Sequence, residues 1–288
     1  MNDEIKKKIL VFQKSEITEH HIYLKLAAIE KSARNKDVLE KIAADELRHY
    51  HVWKKYTGQD VLPDRFTVEK YVLIARLFGL TFGLKLMESG EGKAQEAYGE
   101  MISSVVEASG IIADENTHEQ ELLEMIDEER LKYAGSIVLG LNDALVELTG
   151  ALAGLTFALG NARLVAVAGA ITGIAAALSM AASEFLSTKS EGGGKDPVKA
   201  SIYTGIAYIL TVTLLVLPYL LLENLPVSLA WMLVNAVVII YAFTFYISVA
   251  KGFDFRKRFL EMVSISLGVA GLSFLIGLGV RALLNIKV

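Results

Sequence analysis

Cysteine is absent from all 288 residues, which excludes disulfides, thiolate zinc sites and a rubredoxin-type iron centre. A basic stripe interleaved with aromatics is also missing, so nucleic acid is not an expected partner. The opening residues, MNDEIKKKIL, lack the long apolar core of a secretory signal, and the front of the chain is therefore expected to stay in the cytoplasm. Charge itself becomes scarce after Ala134. Lys and Arg number 19 before Gly135 and 10 from there onward, while Asp and Glu fall from 25 to 8. All five histidines (His20, His21, His49, His51, His118) lie in the front part. The net charge of −4 thus combines an acidic, water-loving front with an apolar back. That asymmetry suits a two-part membrane protein, divided here into 1–134 and 135–288.

In the back part, five stretches (135–159, 164–187, 200–222, 227–250 and 260–284) are each apolar over the roughly 20 residues a hydrocarbon core requires. Their junctions carry breakers: Gly160-Asn161, the Gly192–Gly194 run with Pro197, Asn224 with Pro226, and Gly252. Positive charge concentrates in two of them, one with Lys189, Lys195 and Lys199, the other with Lys251, Arg256, Lys257 and Arg258. Short loops rich in Lys and Arg stay in the cytoplasm. The front domain and both basic loops are therefore expected on the cytoplasmic side of the cell membrane, with the C-terminus opposite. A sixth apolar stretch, Tyr71–Met87, contains Arg76 and Lys85 and runs into a Glu-rich segment. Each such charge costs roughly 2.5–3.5 kcal/mol at mid-membrane, so this stretch reads as a buried or surface-lying helix of the front domain.

Several polar side chains interrupt the spans. Asp143 and Glu147, four apart in the first, share one helix face. Glu184 sits near the cytoplasmic end of the second, four residues after Met180. A carboxylate inside a span is expensive and normally faces a cavity, an ion path or a partner. Met180 is a soft donor suited to a transition metal.

The front part shows helical periodicity over about 3–33, 36–57, 67–101 and 103–133, enough for a four-helix bundle with its own core. Two Glu-x-x-His pairs, Glu46/His49 and Glu115/His118, stand on the second and fourth helices. Glu16 on the first and Glu88 with Glu91 on the third complete a set in which every helix offers carboxylates. Glu-x-x-His on two helices plus single Glu residues from two others is the ligand pattern of a four-helix di-metal site.

The spans resemble the vacuolar iron transporter family over residues 135–288. GLNDALVELTGALAGL resembles that family's Asp-bearing first helix, and AALSMAASEFLSTKSE its Ser-Met-containing second. The resemblance implies a homodimer exchanging Fe²⁺ or Mn²⁺ against protons, with Asp143 and Met180 on the pathway and Glu147 and Glu184 as neighbours. Where plant-type members carry a long metal-binding insert, this chain has only SEGGGKDP, so a metal collector must lie elsewhere. The front resembles ferritin-like proteins of the rubrerythrin type. SEITEHHIYLKLA, ADELRHYHVW, MESGEGKAQEAY and DENTHEQELL match the four helices in order. That likeness implies two metal ions (Fe²⁺/Fe³⁺, with Mn²⁺ or Zn²⁺ also suited to the donors) held by Glu16, Glu46, His49, Glu88, Glu91, Glu115 and His118, and places Tyr23 beside the site. The whole resembles the membrane-bound ferritin type of fusion.

The expectation is an all-α protein: a ferritin-like bundle followed by five spans, exporting metal from the cytoplasm by proton antiport. A membrane-anchored di-iron ferroxidase or peroxidase is the alternative. Polar residues inside the spans speak against it, because an anchor needs none.

Overall fold

The computed structural model describes residues 3–87, 107–124, 132–192 and 194–283, and every regular element among them is helical. Glu88 and Glu91 lie outside the described residues. The chain divides into two compact units, Met1–Glu128 and Glu129–Val288.

In the front unit, α1 (Asp3–Ile29) packs along α2 (Ala33–Thr57). The turn between them works because Ser32 caps α2, its hydroxyl accepting from the Asn35 N–H. Helix α2 stops at Gly58, whose φ of 72° closes a left-handed cap. Asp64 then caps α3 (Arg65–Phe78) by accepting from the Phe66 and Thr67 N–H groups, and α3 packs on α1. The periodicity suggests one helix over 67–101, but the described part breaks at Gly79 (φ 104°) before a second helix, α4, over 80–87. The break lets Gly83 lie against Ala75, where an added Cβ would come within 2.7 Å of the Ala75 Cβ. The Tyr71–Met87 stretch thus folds into the front unit, with Val72, Ala75, Phe82, Leu84 and Met87 buried. Helix α5 (Ala108–Glu124) packs on α2.

Two apolar layers hold this unit. One joins Ile9, Phe12, Trp53, Ala108 and Ile111; the other centres on Ile22, Leu26, Leu39, Ile42, Val72 and Leu122. On α1, α2 and α5 the residues between those layers include Glu16, Glu46, His49 and His118, all buried. Their charged atoms face one another across the gap between the layers, His49 and His118 each against carboxylates.

The second unit consists of α6 (Ala134–Leu159), α7 (Ala162–Glu191), α8 (Pro197–Leu221), α9 (Leu225–Lys251) and α10 (Phe255–Leu283), each long and apolar enough to cross a membrane. Their junctions are sharp for local reasons. Asn161, Asp196 and Asn224 cap the next helix through their side chains, and Gly160, Gly192 and Gly252 end the preceding one in the left-handed region. Large apolar side chains such as Ile171, Leu178, Leu272 and Ile276 point outward, as lipid-facing residues do. Close approach uses the small residues. A Cβ on Gly140 would meet the Thr204 carbonyl oxygen at 2.4 Å, one on Gly277 the Gly154 oxygen at 2.4 Å, and Gly169 and Gly173 receive Leu152 and Val212. The glycines of the first two spans therefore serve helix packing within one protomer.

Helix α6 is not regular throughout: residues 144–148 form a π-helical turn directly after Asp143. Such turns insert a residue and recur at functional sites. Here the turn packs against α10, where the Ser266 hydroxyl donates to the Leu145 carbonyl at 2.6 Å. The start of α6 and the α7–α8 junction share one end of the unit. Tyr133 stacks on Tyr203 with ring centroids 5.2 Å apart, and its hydroxyl accepts from the Asp196 N–H at 2.9 Å.

Candidate functional site

Five of the seven candidate ligands in the front unit converge. Glu16, Glu46, His49 and Glu115 place one ligand atom each within 4.8 Å of one another. His49 Nδ1 lies 3.3 Å from Glu46 Oε2, 3.4 Å from Glu115 Oε1 and 3.6 Å from Glu16 Oε2. His118 Nδ1 lies 3.2 Å from the other Glu46 oxygen and 3.9 Å from Glu115 Oε2. Glu46 thus sits between both imidazoles, one oxygen toward each.

The outer edges of the two rings are held in a crossed arrangement. His49 Nε2 pairs with Asp114 Oδ2 at 3.2 Å, and His118 Nε2 with Asp45 Oδ2 at 3.1 Å. Each Asp immediately precedes the Glu of the opposite helix, and Arg48 bridges both, at 2.7 Å from Asp45 and 2.9 Å from Asp114. An acceptor on Nε2 fixes the ring and directs Nδ1 inward, the arrangement that orients imidazole ligands around a metal. On the far side the Trp53 indole N–H donates to Glu16 Oε1 at 2.9 Å. None of these four supporting residues emerges from the Glu-x-x-His spacing. The signal was present all the same, because Asp precedes Glu in both pairs and the repeated motif is Asp-Glu-x-x-His.

The electrostatics are those of crowded buried acids. Burial pushes the Glu16 carboxyl up to about 7. Burial acts on Glu46 in the same direction, but the His118 and His49 imidazoles beside it outweigh that and hold the carboxyl below its usual range. Burial lowers a histidine, yet the Glu46 carboxylate lifts His118 to about 8. Glu115, Glu16 and Glu46 together lift His49 far above the ordinary imidazole range. Protonated imidazoles therefore neutralise the acids when no other cation does so. His118 Nδ1 is buried and makes no hydrogen bond among the described residues. An orphaned ring nitrogen facing carboxylates, in a mixed carboxylate and imidazole set, fits Fe²⁺, Mn²⁺ or Zn²⁺.

The other histidines stand apart from this cluster. His20 Nδ1 bonds the Ala43 carbonyl at 2.6 Å and ties α1 to α2, while His51 is exposed. Tyr23 is buried in the second apolar layer. If the Asp–His pairs act by orientation, Asp114→Asn will weaken divalent-metal binding by the full chain roughly 10–100-fold, measured calorimetrically. Unchanged affinity would remove Asp114 from the site.

In the membrane unit, the Tyr208 hydroxyl of α8 donates to Glu147 Oε2 at 3.2 Å, and Asp143 interacts with both. Tyr208 was not legible as a site residue: one Tyr in an apolar span gives no signal. Asp143 is half-buried and Glu147 exposed on the isolated chain. Glu184 lies nearer the end of the unit marked by the basic α7–α8 junction. Its Oε1 accepts from Ser136 Oγ at 2.5 Å and from Thr188 Oγ1 at 3.5 Å. Ser136 precedes Asp143 by two helical turns, about 10 Å along the axis. Met180 packs, half-buried, against the apolar core of the unit. On the other side of the acid pair, Thr156 and Tyr219 form a buried hydroxyl pair at 2.7 Å.

With this geometry in place, the sequence comparisons locate the membrane unit among known proteins. Residues 134–193 match the VIT family. The match covers the first two spans, including Asp143, Glu147, Met180 and Glu184, and does not extend to the front unit. No curated protein and no solved structure matches the chain. Five apolar helices together with this likeness make the chain an integral membrane protein, and the likeness points to membrane transport of metal ions.

Proposed function

We propose that the chain exports Fe²⁺, or Mn²⁺, from the cytoplasm in exchange for protons, with the front unit as a ferritin-like, rubrerythrin-type collector that holds two ions. The observation that carries this reading is the coexistence of two polar centres of matching chemistry. One is a buried carboxylate and imidazole cluster around Glu46; the other is a pair of acids, Asp143 and Glu147, bound to Tyr208 inside the spans. Glu88 and Glu91 are the two further acids that the rubrerythrin likeness would add to the di-metal set. In the membrane, Asp143 and Glu147 lower the desolvation cost of a passing cation and take protons in return. Glu184, with Ser136 and Thr188, receives the ion two turns earlier, and Met180 offers it a thioether.

Exposure of Glu147 on a single chain supports a homodimer, because a carboxylate against hydrocarbon is costly and favours a water-lined or protein-lined surface. The front unit and both basic loops are assigned to the cytoplasmic side of the cell membrane by the Lys and Arg bias. The packing of Tyr133 against Asp196 and Tyr203 supports the same assignment, since it puts the start of the first span beside one of those loops.

Flux in proteoliposomes tests the reading. With the metal side neutral and the opposite side acidic, Fe²⁺ or Mn²⁺ movement will accelerate and protons will move the other way. Movement indifferent to the gradient removes proton exchange. If flux is absent while the full chain oxidises Fe²⁺ over many turnovers, the anchored ferroxidase reading takes its place.

A further inference from the structure

Helix α3 is apolar on two opposite faces, and only one of them meets the core. Val68, Val72 and Ala75 are buried against the second apolar layer. Phe66, Leu73 and Leu77, spaced seven and four apart, point roughly the other way at 100° per residue. They are 79%, 57% and 59% exposed, and Leu62 just before the helix is 82% exposed. Apolar groups on both sides of a helix in a water-soluble unit indicate a second apolar neighbour.

Charge identifies that neighbour. Arg65, Lys70 and Arg76 are exposed and flank the outer face at 100° per residue, Lys70 along one edge and Arg65 with Arg76 along the other. The acid among them, Glu69, is already paired with Lys25 of α1. The rim is therefore positive in a chain whose net charge is −4. A second copy docking through this face would gather like charges, whereas anionic lipid headgroups neutralise them. Phe and Leu ringed by Lys and Arg on one helix face is the pattern of a helix lying in the headgroup layer. A bilayer is also the one surface this unit can never be far from, because α6–α10 on the same chain cross it.

We propose that the outer face of α3 rests on the bilayer that holds the spans, with Phe66 and Leu73 in the headgroup–acyl boundary and Arg65, Lys70 and Arg76 on anionic headgroups. This contact limits how the front unit turns relative to the membrane surface, and it does so whatever cargo the protein carries.

Because the chain has no cysteine, single labels test the proposal on the intact protein. Leu73→Cys and, separately, Phe66→Cys would carry an environment-sensitive fluorophore, with the exposed Asp37→Cys on α2 as reference. Each is placed in vesicles of phosphatidylcholine alone or mixed equally with phosphatidylglycerol. In the anionic vesicles the emission at both α3 sites will shift to shorter wavelength. Aqueous iodide will quench them about fivefold less than Asp37, and brominated lipid will quench them strongly. Changing Arg65, Lys70 and Arg76 together to Glu will abolish the shift. Iodide access equal to that at Asp37 overturns the proposal. So does shielding from iodide without quenching by brominated lipid, which would put protein rather than lipid on this face.

Discussion

Asp143→Ala will reduce metal flux through the reconstituted protein by about 100-fold or more and leave metal binding by the front unit intact. The magnitude follows from the position of the carboxylate. Removing one partner from a buried charge pair costs roughly 3–5 kcal/mol, and each 1.36 kcal/mol is a factor of ten in rate. Asp143 is where such a pair would form, since it interacts with Glu147 and Tyr208 immediately before the π-helical turn of α6. Asp143→Asn separates charge from shape: it keeps the hydrogen-bonding geometry toward Tyr208 but loses the negative charge, and it will be nearly as inactive. The check is initial metal uptake in vesicles, alongside calorimetric binding to the same variant in detergent. Flux within a few-fold of the parent chain would place the pathway elsewhere and leave Asp143 a packing residue.

What could be read from the residues alone divides along a physical line. The five spans were legible because each needs only about 20 apolar residues in a row, a property of composition. Their ends were legible to within a few residues because Asn161, Asp196, Asn224 and the terminal glycines are local signals. Glu46 with His49, and Glu115 with His118, were legible because a spacing of three fixes a shared helix face. The crossing of Asp45 to His118 and Asp114 to His49 was not, since it depends on how α2 and α5 lie against each other. The π-helical turn after Asp143 was equally silent. It arises from packing against α10, where Ser266 takes up the Leu145 carbonyl, and no residue in ALVEL announces it. Gly79 shows a third case. The apolar run reads straight through it, because α3 and α4 both bury apolar side chains in one core and only the backbone at φ 104° reveals the break.

The front unit supplies the other large effect. Glu46→Ala will lower divalent-metal affinity of the full chain by at least about 100-fold, since among the candidate ligand carboxylates Glu46 comes nearest to both imidazole Nδ1 atoms, 3.3 Å from His49 and 3.2 Å from His118. Protons supply a second readout. His118 is lifted to about 8 and His49 well above that, so at pH 7 both carry protons that a metal must displace. Binding at pH 7 will therefore release roughly two protons, measured by calorimetry in buffers of different ionisation enthalpy. The sign follows directly. Affinity will climb as pH rises from 6 toward 8, where first Glu16 (about 7) and then His118 give up their protons. Below pH 6 the cluster holds its protons and excludes the metal. Losing the Glu46 carboxylate removes support for both imidazolium ions, so the variant will also release fewer protons for whatever metal it still takes up. Parent-like affinity in Glu46→Ala, or binding without proton release, would mean that the cluster between the two apolar layers is a buried ion-pair network and the collector lies elsewhere.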